Sequence, residues 1–260
     1  NAATFFTSQP NAPSAGQPPV GHLAPNTIAS AYSYIGNFDV STEIVDGVAE
    51  STPLPTEISD IEVTLDGRPL PLFFVSKGQI NLLIPNDAPQ SGVAVIEVRR
   101  KSTGDLLAGD FVGMAPKAPG FFTLDMNGTG QIAAINYRGE NPDGVNSASN
   151  PVRRQQHIAL FATGMGHVPG APNDGSPVNG ALSTPDEPLV ITGTGQRLPV
   201  TYSGFAPGLV GLWQINVNIV DEVPTGNAVR IIMQHGPPAN LGIRGGQAAD
   251  LVTTIAVRQP

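Results

Sequence analysis

A chain of 260 residues with 13 Lys+Arg against 21 Asp+Glu is long enough for two domains, and its formal charge of −8 without a basic block argues against a nucleic-acid partner. Cysteine is absent, which excludes disulfide scaffolds, thiol catalysis and cysteine-ligated zinc. Only 13% of residues are charged while Gly (30) and Pro (26) are abundant, so many turns are expected, and no apolar run approaches the roughly 20 residues of a membrane-spanning helix.

Residues 1–7 (Asn-Ala-Ala-Thr-Phe-Phe-Thr) read as a strand, and residues 8–25, rich in Pro, Gly, Ala and Gln, as an extended arm. Residues 27–36 are strand-like and stop at Gly36. Within 57–65, Ile61, Val63 and Leu65 alternate; Asp66-Gly67 then signals a two-residue hairpin turn, with 70–75 as the return strand. Strands follow at 79–84, 93–98 and 106–114, and Lys117-Ala118-Pro119-Gly120 marks a boundary. Beyond it, strands are expected at 131–137, 157–164, 189–192, 197–203, 212–220, 228–234 and 251–257. Residues 141–144, 146–151 and 168–187 are expected loops. No window shows sustained helical spacing. The fold class is therefore all-β: two tandem immunoglobulin-like β-sandwiches, residues 26–117 and 118–260, preceded by the arm 1–25.

An internal repeat supports this division. Gln79-Ile80-Asn81-Leu82-Leu83-Ile84 recurs from residue 79 to residue 214 as Gln214-Ile215-Asn216-Val217-Asn218-Ile219. Gly67-Arg68-Pro69-Leu70-Pro71 upstream of the first copy echoes Gly195-Gln196-Arg197-Leu198-Pro199 upstream of the second. Ile80, Leu82 and Ile84 face one side at period two, as do Ile215, Val217 and Ile219. Gln79, Asn81, Gln214 and Asn216 fall on the opposite face, near an edge or under a loop, with amides suited to backbone groups. Phe121-Phe122-Thr123 matches Phe5-Phe6-Thr7, so each copy is expected to open on the same strand.

These segments resemble the uncharacterised C-terminal domain of Solibacter and other acidobacterial secreted proteins. The resemblance rests on Asn1-Ala2-Ala3-Thr4-Phe5, Ala24-Pro25-Asn26-Thr27-Ile28, Gly67-Arg68-Pro69-Leu70-Pro71 and Gly78-Gln79-Ile80-Asn81. It continues through Pro119-Gly120-Phe121-Phe122, Phe161-Ala162-Thr163-Gly164-Met165-Gly166 and Ala206-Pro207-Gly208-Leu209-Val210-Gly211. Residues 8–22 depart from the pattern as an insertion. The resemblance implies an exported, immunoglobulin-like surface module with no known catalysis.

Candidate chemistry is sparse. Gly128-Thr129-Gly130 and Gly193-Thr194-Gly195 do not continue into a phosphate-binding helix, and no Gly-x-Ser-x-Gly occurs. His22, His157, His167 and His235 lack metal spacing. Asp125, Asn127 and Asp143 are weak calcium candidates in turn-like stretches. Asn127-Gly128-Thr129 is also a glycosylation acceptor pattern. Trp213, with Tyr202 and Phe205, reads either as a sandwich anchor or as an aromatic platform for a sugar. No cofactor is implied.

Low charge, scarce lysine and a first residue other than Met lead to the expectation of a secreted or cell-surface protein. The functional expectation is a non-enzymatic structural protein that polymerises with itself. Ala3, Thr4, Phe5, Phe6 and Thr7 would be donated as a strand to a neighbouring subunit, forming an extracellular filament. The alternative is a monomeric carbohydrate- or peptide-binding adhesion module using residues 168–187 and the Trp213 region, with a surface polysaccharide as partner.

Overall fold

The computed structural model describes residues 5–7, 22–33, 44–235 and 252–260. Ala3, Thr4 and most of the arm lie outside the described residues. The described chain is all-β, without a helix.

In chain order the strands up to residue 114 are β1 (Phe5–Thr7), β2 (His22–Leu23), β3 (Ile28–Tyr32), β4 (Gly47–Val48), β5 (Glu57–Ile58), β6 (Ile61–Leu65), β7 (Arg68–Pro69), β8 (Leu72–Val75), β9 (Gln79–Leu83), β10 (Val93–Arg100) and β11 (Leu106–Met114). They form one sheet of order β1-β3-β9-β8-β4 and a second of order β2-β11-β10-β6-β5, with β7 also on β6. Alternation builds the core between these sheets. Ile80 and Leu82 of β9 point inward to meet Ile61, Val63, Ile96 and Val112 from the facing sheet.

After residue 118 come β12 (Gly120–Phe121), β13 (Gly130–Gln131), β14 (Ala134–Arg138), β15 (Asn141–Val145), β16 (Val152–Arg153), β17 (His157–Thr163), β18 (Leu189–Thr192), β19 (Arg197–Leu198), β20 (Val200–Phe205), β21 (Trp213–Asn218), β22 (Gly226–Gln234) and β23 (Thr253–Arg258). Their sheets have the orders β15-β14-β17-β21-β20, with β12 on β17, and β13-β23-β22-β18-β19, with β16 on β23. A separate core lies between them, around Trp213, Ile215, Val217, Ile158, Leu160 and Ile255.

Each half keeps the same skeleton. The Gln-Ile-Asn strand is central in both, β9 between β3 and β8, and β21 between β17 and β20. Ser30 opposite Asn81 is thus the counterpart of Ala159 opposite Asn216. The strand entering each β3-like strand runs parallel to the last strand of its half. Leu23 lies beside Met114, Val152 lies beside Val257, and both Leu23 and Val152 are fully buried.

Several expected elements are redrawn. The hairpin turn at Asp66-Gly67 is present, both residues at positive φ (50° and 79°), but its return strand is only Arg68–Pro69. Leu70-Pro71 then carries the chain across to the other sheet, where β8 begins. Ser59 and Asp60, also at positive φ, split 57–65 into two strands of a second hairpin. The single strand expected at 131–137 is two, because Gln131 pairs with Thr254 in one sheet and Ala134 with Leu160 in the other. The loop expected at 141–144 is β15, a mostly exposed edge strand in which Pro142 and Gly144 are tolerated because, among the described residues, no further strand lies beyond it.

Candidate functional site

The expected donor segment comes first. Phe5–Thr7 lies at the outer edge of β3 in its own chain, running parallel, with Phe5 opposite Ser30, Phe6 opposite Ala31 and Thr7 opposite Tyr32. Its expected counterpart in the second half behaves differently. β12 runs antiparallel to β17, Phe121 opposite Ala162, so the two copies do not open on the same strand geometry. The edge positions equivalent to Ser30 and Ala31 are Ala159 and Leu160, and these carry β14, also antiparallel. In the second half a hairpin of two five-residue strands covers that edge; in the first half three residues of β1 do.

Of the other sheet edges, those of β11, β4 and β19 are less receptive, while β15 and β20 are edge strands of five and six residues. The outer edge of β11 places its backbone beside the Asp110 carboxylate, whose Oδ1 accepts the Phe111 N–H at 2.7 Å and puts a charge where a strand would dock. β4 and β19 are two residues long.

A second cluster was not legible in the sequence. Asn26, Asn86 and the stretch from Thr163 to Ala171 form a buried polar junction between the two halves. Asn26 Nδ2 donates to Asn86 Oδ1 at 2.8 Å and to the Gly166 carbonyl at 2.9 Å. Asn86 Oδ1 also accepts the Val168 N–H at 2.8 Å, and His167 Nδ1 lies 2.9 Å from the Asn86 carbonyl. The Ile28 N–H, at the edge of β3, donates to Thr163 Oγ1 at 2.6 Å. Asn26 and Asn86 are 1% and 4% exposed, so each bond is made away from water. Gly164, at φ 75°, belongs here because a Cβ would overlap the Ala118 carbonyl oxygen. The loop 168–187 is pinned at its start by Val168 and Ala171, both buried, rather than lying free throughout.

Trp213 is fully buried. Its Nε1–H donates to Ser203 Oγ at 3.0 Å, and Ser203 Oγ is also 2.7 Å from Thr184 Oγ1. Phe205 is buried beside it, and the Tyr202 hydroxyl donates to the Phe205 carbonyl at 2.6 Å. Burial holds that hydroxyl above its ordinary pKa. The platform reading of Trp213 is corrected: with no exposed face, its ring has nothing to offer a sugar, and it anchors the core as the other reading expects.

His235 packs against Trp213, ring centroids 5.0 Å apart, with its side chain wholly enclosed. Among the described residues, neither ring nitrogen has a partner at full hydrogen-bond geometry. Asp186 Oδ1 stands 3.9 Å from Nε2, and Asp186 is ion-paired with Lys117. Burial, helped by the Lys117 charge, pushes the imidazole pKa down to about 4, against the opposing pull of Asp186 and the Met165 carbonyl.

Two of the three calcium candidates, Asn127 and Asp143, have other partners. Asn127 Oδ1 accepts both the Thr129 N–H and its hydroxyl, closing a turn, and Asp143 is paired with Arg138 at 3.0 Å. Among the described residues no three His, Cys, Asp or Glu side chains gather as metal ligands. His22 is exposed, and His157 stacks on Tyr137 at 4.7 Å. The Gln and Asn amides of the repeat sit on central strands, not near edges, and bond each other rather than backbone. Gln79 Nε2 reaches Asn81 Oδ1 at 2.8 Å, and Gln214 Nε2 reaches Asn216 Oδ1 at 2.9 Å. A pocket of about 190 Å³ near Leu65, Arg68, Pro85 and Asp87 is smaller than the roughly 300–1,000 Å³ of common ligand cavities.

No family model, no curated protein and no solved structure matches the chain. No helix among the described residues is long and apolar enough to cross a membrane.

Proposed function

We propose that the chain is a non-enzymatic structural protein of two tandem immunoglobulin-like β-sandwiches, exported to the cell surface or beyond, which assembles with copies of itself by exchanging the strand Phe5–Thr7. The immunoglobulin-like reading draws support from the shared order of the central strands in the two halves and from the parallel pairing of an early strand with the last strand in each. The self-assembly reading rests on one observation: among the described residues, Phe5–Thr7 is an edge strand that pairs with β3 at three positions. Three such pairs contribute little by themselves, because a net backbone hydrogen bond is worth only about 1 kcal/mol. Residues 8–21 tether it, and at roughly 3.3 Å per residue such a tether reaches up to about 45 Å, enough to place the strand on a neighbour. Head-to-tail exchange whose rotation does not close builds a fibre. The buried junction suits this role, since it transmits force from one sandwich to the other through bonded side chains instead of a slack linker.

Removing residues 1–20 is expected to leave both sandwiches folded and to abolish assembly, read by electron microscopy and sedimentation velocity. Filaments that persist unchanged in the truncated protein sink the proposal.

A further inference from the structure

We infer that the acceptor for the exchanged strand is the outer edge of β3 at Ser30–Tyr32, and that the incoming Phe5–Thr7 of a second copy runs antiparallel to it, opposite to the direction of β1 within one chain. The inference rests on the self-assembly reading above and adds where the strand lands and which way it points.

The first argument is the internal repeat. Ser30 and Ala31 correspond to Ala159 and Leu160 through their shared pairing with the Gln-Ile-Asn strands. At Ala159 and Leu160 the same edge accepts Ile135 and Ala134 of β14 in an antiparallel ladder. A little further along, β17 accepts β12, again antiparallel. Two strands of the second half thus dock on this edge in one direction, and β1 docks in the other. Antiparallel pairing is slightly more stable per residue than parallel pairing, so a strand free to choose its direction takes the antiparallel one.

The second argument is elimination among the edges of the first half. The β11 edge carries the Asp110 carboxylate on the Phe111 N–H, and β4 and β5 are two residues long. The start of β3 is also closed, because the Ile28 N–H is taken by Thr163 Oγ1. The acceptor stretch is accordingly Ser30–Tyr32, where β1 sits in the isolated chain. Keeping Phe6 opposite Ala31, reversal of direction brings Phe5 opposite Tyr32 and Thr7 opposite Ser30.

The chain has no cysteine, so engineered pairs report only the contact they are built into. Directly opposed strand residues lie within disulfide reach. The experiment oxidises three double variants of the full chain under assembling conditions and separates the products without reductant. F6C/A31C reports the edge in either direction, F5C/Y32C reports the antiparallel strand and F5C/S30C the parallel one. The expected result is a ladder of covalent multimers from F6C/A31C and F5C/Y32C that collapses on reduction, with no ladder from F5C/S30C. A ladder from F5C/S30C in place of F5C/Y32C overturns the direction. Filaments visible by microscopy without a ladder from F6C/A31C overturn the acceptor edge while leaving self-assembly intact. Only intramolecular disulfides, with no filaments, overturn both.

Discussion

His235 shows how much one side chain depends on its surroundings. Alone in the sequence it carries no metal spacing and no neighbouring base, and it gave no reason to be singled out. Folding encloses it against Trp213, with Asp186 and Lys117 as the facing charged groups, and among the described residues gives neither nitrogen a partner at full hydrogen-bond geometry. Its pKa falls from an ordinary 6.5 to about 4 because the charged ring is desolvated. Between those values the unfolded chain binds a proton that the folded chain refuses. Stability from this residue is therefore complete above pH 6.5 and is lost as pH falls toward 4, by roughly 2–3 kcal/mol. Urea unfolding from pH 7 to pH 4 is expected to show this slope, and His235→Leu is expected to flatten it. An unchanged slope in the variant contradicts this account. Trp213 is the opposite case. Such a tryptophan more often anchors a sandwich core than forms a platform, and here it is fully buried with its indole N–H bonded.

Among the elements, the central strands were the most legible. Ile80 and Leu82, and Ile215 and Val217, alternate with amides, and period two needs no tertiary information to be read. Edge elements were harder. β15 contains Asn-Pro-Asp-Gly, which reads as a turn until it is seen to pair along β14 with, among the described residues, no strand beyond. Crossings between sheets, such as Leu70-Pro71, were invisible because the hydrophobic pattern continues across them. The junction was hidden for another reason: its groups are far apart in the chain. Asn26 and Gly166 are 140 residues apart, yet they share a bond. The junction also collects Asn26, Thr163, Gly164 and Gly166 from the motifs that carry the family resemblance, so those motifs encode how the halves are joined. Asn86→Ala removes the acceptor of both the Asn26 side chain and the Val168 N–H. Leaving two buried donors unpaired is expected to cost about 2–5 kcal/mol, seen as a lower denaturation midpoint at unchanged slope. A loss below about 0.5 kcal/mol would show that water replaces the amide and that the junction is not a rigid coupling.

For the whole molecule, the proposed exchange sets β1 against its own copy from a neighbour. A link of this length would hold β1 near β3 at an effective concentration on the order of millimolar. At micromolar protein the neighbour's strand begins with a roughly thousand-fold disadvantage, about 4 kcal/mol. Assembly is therefore expected to rise steeply with concentration and to be slow at low micromolar protein, as measured by light scattering over a dilution series. Assembly of equal extent at one and at several hundred micromolar argues that the strand is never held within its own chain.

What the amino-acid order determined by itself was repetition: two copies of one β-rich pattern, the direction in which their central strands face, and a chain without cysteine. Those properties are local, set by side-chain alternation and turn residues along short stretches. Only the tertiary structure decided which edge β1 occupies, in which direction, and which amides weld the halves together. Hydrogen bonds between distant residues leave no period in the sequence, and strand direction depends on a pairing partner that no local pattern specifies.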